Sequence, residues 1–471
     1  MSSNRRDFLK GSVAAAALGG LGSVVDPGQA ADTPKNEVMF QRRVTVRQEV
    51  DVFVAGGGPA GVAAAVAAAR QGASVFLAER GSCLGGMGTA GMLPLFMPFT
   101  DGIHMLAGGI GADVQRRLQA AGGTGPASDV TIRAEVLKRV YDEMLLDAKV
   151  QFLFQANLIA VEADAGKVAT AVLAGKSGLF AIKARVFLDC TGDGDLAAWA
   201  GAPFEKGDEH GDLMAGTLCS LWADIDWSAT EHGGRPSDES RLEDAFRDKV
   251  FTVEDPHLPG MFRVGQHTGG GNLGHTFGLD STDERSITQA LLAARKSLVE
   301  YERYYKKYLK GFDEMELVAT APQLGARESR RILGDYVLSL DDFKSRAVFV
   351  DEIGRYNYAV DIHAAKPDRA SYQRYADDFR TLRYAKGESY GVPYRCLVPR
   401  TLVNVLVAGR CVSTDRYMQS SIRVMPGCFI TGQAIGVAAA ISAKRNCDTR
   451  GVPIAELQRG LKEMGAFLPN S

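Results

Sequence analysis

Asp51-Val52-Phe53-Val54-Ala55-Gly56-Gly57-Gly58-Pro59-Ala60-Gly61, followed later by Glu79, is the stretch that decides the fold. An apolar run at 52–55 predicts a strand, and it enters Gly-x-Gly-x-x-Gly at Gly56, Gly58 and Gly61. An alanine-rich segment at 62–70 predicts a helix, and a second apolar run at 74–78 predicts a strand that ends at Glu79. Gly56 permits the tight turn, Gly58 lets the backbone approach a pyrophosphate, and Gly61 lets helix and strand pack closely. The helix start, including Pro59 and Ala60, offers free N–H groups and partial positive charge to phosphates. Glu79 lies about 20 residues on, where a carboxylate can accept hydrogen bonds from a ribose diol. A lone Gly-x-Gly-x-x-Gly is common in glycine-rich turns. Here strand, glycines, helix, strand and acid fall in register, and the unit reads as a dinucleotide site.

The 471 residues give room for a large core and two domains. With 46% hydrophobic and 23% charged residues, the composition is that of an ordinary globular protein. A net charge of −2 supplies no basic surface, so neither nucleic acid nor an anionic membrane is expected as a partner. The 53 glycines suit an α/β fold with many tight turns and show no collagen-like period.

The first 31 residues read as a signal peptide. Asn4-Arg5-Arg6-Asp7-Phe8-Leu9-Lys10 carries a twin-arginine pattern, and a moderately apolar run at 13–25 follows. Pro27-Gly28-Gln29-Ala30-Ala31 offers small residues for cleavage, and the apolar run is short for a bilayer span. The expected partner is the twin-arginine export machinery, and the expected destination is the periplasm or the cell exterior. That route moves folded protein, which suits a chain that takes up its cofactor in the cytoplasm.

Seven cysteines have irregular spacing with no Cys-x-x-Cys, and seven histidines show no metal-ligand spacing. No metal site is expected, and the thiols are expected to be mostly buried and free.

Further along, residues 132–146 have helical apolar spacing, and 151–154, 158–164 and 169–174 predict strands. An apolar strand at 186–190 runs into Thr191-Gly192-Asp193. From 206 to 394 the chain becomes more charged, with longer loops and a long helix at 287–309. A strand at 403–408 leads to Gly409-Arg410, a Gly/Ala-rich helix follows at 429–443, and 452–471 suggests a terminal helix.

Five blocks together resemble the FAD-dependent oxidoreductases with a glutathione-reductase-like FAD fold. They are Asp51 to Gly61 with Glu79-Arg80; Leu84-Gly85-Gly86-Met87-Gly88-Thr89; Asp189-Cys190-Thr191-Gly192-Asp193-Gly194-Asp195; Gly325-Ala326-Arg327-Glu328-Ser329-Arg330-Arg331 with Ile332-Leu333-Gly334-Asp335-Tyr336; and Asn404 to Arg410 with Ser421-Ile422-Arg423-Val424-Met425 and Gly432-Gln433-Ala434. The first block alone fits many nucleotide enzymes; all five in this order are specific.

The resemblance implies an α/β fold with a Rossmann-like, discontinuous FAD-binding domain and an inserted α+β substrate domain. The implied division is signal peptide 1–31, FAD-binding domain 46–205 and 395–445, inserted substrate domain 206–394, and C-terminal helix or tail 446–471. It implies FAD as cofactor. Gly56, Gly58, Pro59, Ala60, Gly61, Glu79, Arg80 and Leu158 would serve its ADP part, and Thr191, Gly192 and Asp193 would close over the nucleotide. Gly86, Met87 and Thr89 would approach the ribityl chain and flavin, and Gly409 and Arg410 would lie by the pyrophosphate. Ser421, Arg423 and Val424 would pass the ring just before the final helix, whose positive N-terminus would face the charge of reduced flavin. Many relatives have Gly-Asp where this chain has Gly409-Arg410, so the pyrophosphate contact must differ in detail. Residues 205–300 match the family least, and the substrate does not carry over from them.

The run Arg327-Glu328-Ser329-Arg330-Arg331 resembles a helix start rich in cationic charge. Arg327 or Arg330 could clamp an anionic substrate or reduced flavin; the competing role is a structural ion-pair network between domains. His363 and His275 are candidate proton acceptors, although a lone histidine is more often structural. Tyr390 and Tyr394 could line a substrate pocket, with core packing as the commoner role. Gly269-Gly270-Gly271 lacks a preceding apolar strand, which argues against a second, NAD(P)H-binding unit.

The expected activity is therefore that of a dehydrogenase or oxidase. Hydride would pass from a small-molecule substrate to flavin N5, and electrons would leave to a quinone, a cytochrome or oxygen. Arg327, Arg330 and His363 are the expected catalytic residues. The alternative is a flavin-carrying electron-transfer or binding protein without an organic substrate.

Overall fold

The apolar run at 52–55 is the carboxyl end of the 11-residue strand Thr45–Ala55 in the computed structural model, which describes residues 38–471 except 127, 231–239 and 380. The signal-peptide segment lies outside the described residues. All the elements named here belong to the unit Val44–Ser471.

Thr45–Ala55 pairs in parallel with Val75–Ala78 on one side and with Gly178–Asp189 on the other. Val75–Ala78 pairs in parallel with Gln151–Leu153. Val405–Val407 returns from far along the chain and adds in parallel to the end of Gly178–Asp189, with Val407 opposite Asp189. The antiparallel strands Lys167–Gly175 and Asn157–Asp164 extend the amino half of Gly178–Asp189 and complete a seven-stranded sheet. Every residue of Val75–Ala78 and Val405–Val407 is buried, as expected of parallel strands covered on both faces.

Two helices with small side chains explain how closely the layers pack. Pro59–Arg70 follows the glycine turn, with Pro59 in the first turn, where its missing N–H costs nothing. Met425–Arg445 lies against it, and a Cβ on Gly432 or Gly436 would collide with the carbonyl oxygens of Ala60 and Ala64. This helix begins four residues before the expected 429, because Pro426 is accommodated in its first turn. By length and composition it could cross a bilayer, but that whole stretch is buried inside the protein.

The parallel strands all end on one edge. Ala55, Ala78 and Asp189 are followed there by Gly56, Glu79 and Cys190, and Val407 by Ala408-Gly409. The crevice outside the carboxyl ends of such a sheet is where α/β folds bind nucleotides.

A second sheet is antiparallel, in the order Glu316–Thr320, Ser220–Ala223, Gly269–Asn272, Gly260–Arg263. The glycine triplet is thus a strand. A Cβ on Gly269 would stand 2.6 Å from Ile225 Cδ1, and Gly270 lies against Pro94. Helix Glu284–Tyr308, capped by the Asp283 carboxylate, contributes Leu298, Tyr301, Tyr304 and Tyr305 to a core with Trp222 and Phe312. That second core draws its buried residues from Leu218 to Leu324, whereas buried residues from Ile332 onward join the core of the first sheet.

The expected helix start at 327–331 is instead an irregular stretch, 327–329, that runs into a strand. Arg330–Ile332 pairs antiparallel with Phe204–Lys206. Strand alternation sends Arg330 and Arg331 in different directions, which matters for the site.

Candidate active site

The glycines of the first turn have distinct surroundings. Gly56 has φ +93°, and a Cβ there would stand 2.6 Å from Cys190 O. A Cβ on Gly61 would collide with Gly56 O, whereas one on Gly58 would meet nothing within 4 Å. Gly56 and Gly61 are therefore packing requirements, and Gly58 presents an open backbone face. That face borders a cavity of about 650 Å³ along the carboxyl edge of the sheet.

Glu79 accepts from Gly57 N–H at Oε2 (2.7 Å) and from Gly81 N–H at Oε1 (2.6 Å). With Arg80 and Leu158 it lines the cavity, as do Pro59 and Ala60 of the helix start. Trp199, half-exposed, lines it too; nothing in the sequence singled it out. Gly86 and Met87, Thr191 and Gly192, Gly409 and Arg410, and Arg423 and Val424 are also in the lining.

Four expected contacts sit behind the lining. Gly61 packs as described. Thr89 is buried, and its hydroxyl donates to Leu84 O. Ser421 is buried between Tyr390 Oη (2.8 Å) and Tyr358 O. Asp193 accepts from Arg410 Nη2 and from Ser281 Oγ (2.6 Å). Burial pushes the Asp193 pKa up, but Arg410's charge and these hydrogen bonds outweigh it and hold the carboxyl below its ordinary value. The Arg410 found where relatives have Asp is thus anchored by Asp193, while its buried Nε has no partner among the described residues.

These features fit FAD. The helix starts at Gly58 and Val424 both lack a side-chain cap, so their N–H groups are open to an anion. Gly58 and Val424 both border the cavity. A carboxylate closes the second strand, and an arginine donor stands unpaired beside Gly192.

The same cavity is lined by Arg327, His257, His363, Asp361 and Arg423, around which a chain of ionisable groups runs. Tyr372 Oη donates to Asp255 Oδ1 (2.8 Å) and lies 2.8 Å from His275 Nδ1. Asp255 Oδ2 is 3.0 Å from the same nitrogen. His275 Nε2 meets His363 Nδ1 at 2.8 Å, and His363 Nε2 is 3.5 Å from Asp361 Oδ2. Asp361 Oδ2 is also 3.1 Å from Arg423 Nη2. His257 packs on this chain, its ring centroid 4.5 Å from that of His275.

The proton positions follow from the partners. Although burial alone would raise it, His275 and Tyr372 hold Asp255 down to about 2, so it is an acceptor only. The Tyr372 proton therefore goes to Asp255, and the phenol oxygen faces Nδ1 as an acceptor. Nδ1 of His275 must then carry a proton. Burial lowers the pKa of all three histidines, His257 to about 3, and Arg327's charge lowers them further. A neutral His275 protonated at Nδ1 has a bare Nε2, which accepts from His363 Nδ1–H. A neutral His363 then presents an unprotonated Nε2.

Nitrogens of the three histidines lie within 4.8 Å of one another, a convergence the sequence did not suggest. The hydrogen bond between two of them and the guanidinium charge of Arg327 favour a proton path over a cation site.

Of the cationic run, only Arg327 lines the cavity. Arg330 turns elsewhere: its Nη1 donates to Asp195 Oδ1 (2.7 Å) and Asp193 O (3.1 Å), with the guanidinium over Phe204. Arg331 Nη1 donates to Glu328 Oε1 at 2.6 Å. Tyr394 is buried and donates to Thr449 O (2.8 Å), so both tyrosines of that segment pack in the core. The cysteines bordering the cavity are free thiols, and burial pushes Cys219 and Cys428 up to about 12.

A family described as FAD dependent oxidoreductase matches residues 51–461, and the twin-arginine translocation pathway signal sequence matches residues 2–22. No curated protein matches the chain. Similar solved structures include p-nitrophenol 4-monooxygenase PnpA from Pseudomonas putida, at 12% identity and TM-score 0.46, covering 90% of this chain and 91% of that one. The myxobacterial chondrochloren halogenase CndH is 11% identical with TM-score 0.46, covering 88% and 78%. A geranylgeranyl bacteriochlorophyll reductase-like protein from Thermoplasma acidophilum is 11% identical with TM-score 0.43, covering 89% and 84%. At these identities and TM-scores the likenesses carry no argument about this chain's reaction.

Proposed function

The chain belongs to the FAD dependent oxidoreductase family, and on that premise we propose that it oxidises a small organic molecule bearing a hydroxyl or amine. Its cofactor is FAD, and its signal sequence sends it across the membrane by the twin-arginine route to the periplasm or beyond. FAD, when bound, supplies the two-electron acceptor for a substrate C–H bond.

In this reading the open face of Gly58 and the N-terminus of Pro59–Arg70 hold the pyrophosphate, with Arg410 beside it. Glu79 serves the ribose, and Leu158 and Trp199 serve the adenine. The N-terminus of Met425–Arg445 offsets charge on the reduced ring. Segments 46–205 and 395–445 carry these groups. The segment 206–394 supplies Asp255, His257, His275, Arg327, Asp361 and His363 for the substrate.

His363 takes the substrate proton at Nε2. Asp361 stabilises the imidazolium that forms, and His275, oriented by Asp255 and Tyr372, holds the tautomer. The observation that carries the proposal is His363 on the cavity lining, backed by a chain of hydrogen bonds through His275 to the Asp255 carboxylate. A protein that only carried electrons would have no use for it. Electrons leave to a quinone, a cytochrome or oxygen, since an exported enzyme has no NAD(P)H pool to draw on.

The test is anaerobic mixing of the purified holoenzyme with polyols, sugars, hydroxy acids and amines. Loss of the oxidised-flavin absorption with one class supports the proposal. A flavin that dithionite reduces but no organic compound does would support the electron-carrier reading.

A further inference from the structure

Arg327 differs from the other two buried arginines, Arg331 and Arg355, and from the half-buried Arg410, Arg416 and Arg423. Arg331 pairs with Glu328, Arg355 with Glu352, Arg410 with Asp193, Arg416 with Glu328 and Arg423 with Asp361. Arg327 is 8% exposed, yet among the described residues no carboxylate pairs with it. Its Nη1 donates to Ala215 O at 2.7 Å, a neutral acceptor that supplies no counter-charge. Burial and the nearby Arg423 lower its pKa to about 10, so it remains a cation at neutral pH. A buried charge without a counter-charge is costly, and such a cost persists where a ligand relieves it.

The neighbours relieve it only in part. The three histidines are neutral, and the Asp361 carboxylate, which favours the Arg327 charge from a distance, makes its ion pair with Arg423 instead. The guanidinium borders the cavity alongside Thr217, Asn272 and Gln323, neutral polar groups suited to a small polar molecule. FAD must share the same cavity of about 650 Å³, so the remaining room is small.

We infer that the substrate is a small carboxylate, a hydroxy or amino acid, whose carboxylate pairs with Arg327 while its hydroxyl or amine faces His363. This rests on the oxidoreductase reading of the site and names its substrate class. The planar guanidinium matches a carboxylate through two parallel N–H donors, and it fixes orientation as well as affinity.

The test uses redox-inert probes, so it is read independently of turnover. Propionate and propionamide are titrated into the FAD-loaded enzyme by calorimetry and by the flavin difference spectrum. Propionate should bind saturably and propionamide about tenfold more weakly or worse. Arg327→Gln should weaken propionate roughly 30-fold or more, as expected for truncating one partner of a buried charge pair. Arg327→Lys should keep part of the affinity, and the exposed Arg346→Gln should keep all of it. Equal binding of both probes, or of neither, would overturn the assignment. So would an Arg327→Gln enzyme with unchanged propionate affinity but a shifted flavin midpoint potential, which would give Arg327 to the cofactor. Propionate binding without flavin reduction by any hydroxy or amino acid would leave the carboxylate site standing and sink the dehydrogenase reading instead.

Discussion

His275 Nε2 and His363 Nδ1 lie 2.8 Å apart, with Asp255 beyond one ring and Asp361 beyond the other. Each carboxylate favours an N–H on the ring nitrogen it faces, but two neutral imidazoles carry only two ring protons. One of those protons lies between the rings, so one outer nitrogen is bare. Tyr372 decides which: its own proton goes to Asp255, so His275 is protonated on the Asp255 side and the bare nitrogen is His363 Nε2. The base therefore lies on the cavity side, next to Arg327.

Asp255→Asn tests this positioning role. The amide can no longer demand a proton from His275 Nδ1, and the tautomer chain loses its anchor. Turnover should fall about tenfold or more with KM unchanged. The acid limb of the pH–rate profile should move to lower pH, because Asp255 raises the pKa of His275, to which His363 passes its charge through the shared hydrogen bond. An unchanged profile would make Asp255 a packing residue.

Stability should respond to pH through the same cluster. Native His257, facing His275, Arg327, Asp255 and Asp361, stays neutral to about pH 3, whereas an unfolded imidazole takes a proton near its ordinary 6.5. Between those values the unfolded chain binds more protons, so stability is full above 6.5 and falls as pH drops through the window. Between pH 6.5 and 5, His257 should account for about 2 kcal/mol of that loss. Urea unfolding of His257→Asn should show a shallower decline between pH 7 and 5 than the parent protein; equal slopes would refute the assignment.

Part of this was legible in the chain and part was not. The glycine turn, Glu79 and the returning strand Val405–Val407 announce themselves because each depends on a short run: apolar residues with glycine or an acid at a fixed offset. Met425–Arg445 starts four residues before the Gly/Ala-rich run suggests, because Pro426 looks like a break unless its place in the first turn is known. The cationic run was visible, but which arginine reaches the cavity depends on the pairing of Arg330–Ile332 with Phe204–Lys206, a long-range fact. His257, His275 and His363 come together from separate segments, so no spacing rule connects them. Asp255, Tyr372 and Trp199 gave no local signal.

The helix seam makes a separate demand. A valine at Gly436 would meet the backbone of Pro59–Arg70 at Ala64. Neither helix can yield easily, since both are buried among the sheet's core residues. Gly436→Val should destabilise the protein by about 1–3 kcal/mol and reduce bound FAD, because that helix begins at the cofactor's turn. A variant with parental urea stability and full FAD content would show that the helices can separate without cost.

The most direct measurement is the anaerobic single-turnover rate of flavin reduction by a hydroxy or amino acid, compared between the parent enzyme and His363→Ala at equal FAD content. The account predicts rapid reduction in the parent and a rate about 100-fold lower or worse in the variant, the usual scale for losing a general base. Equal rates in the two proteins would contradict it.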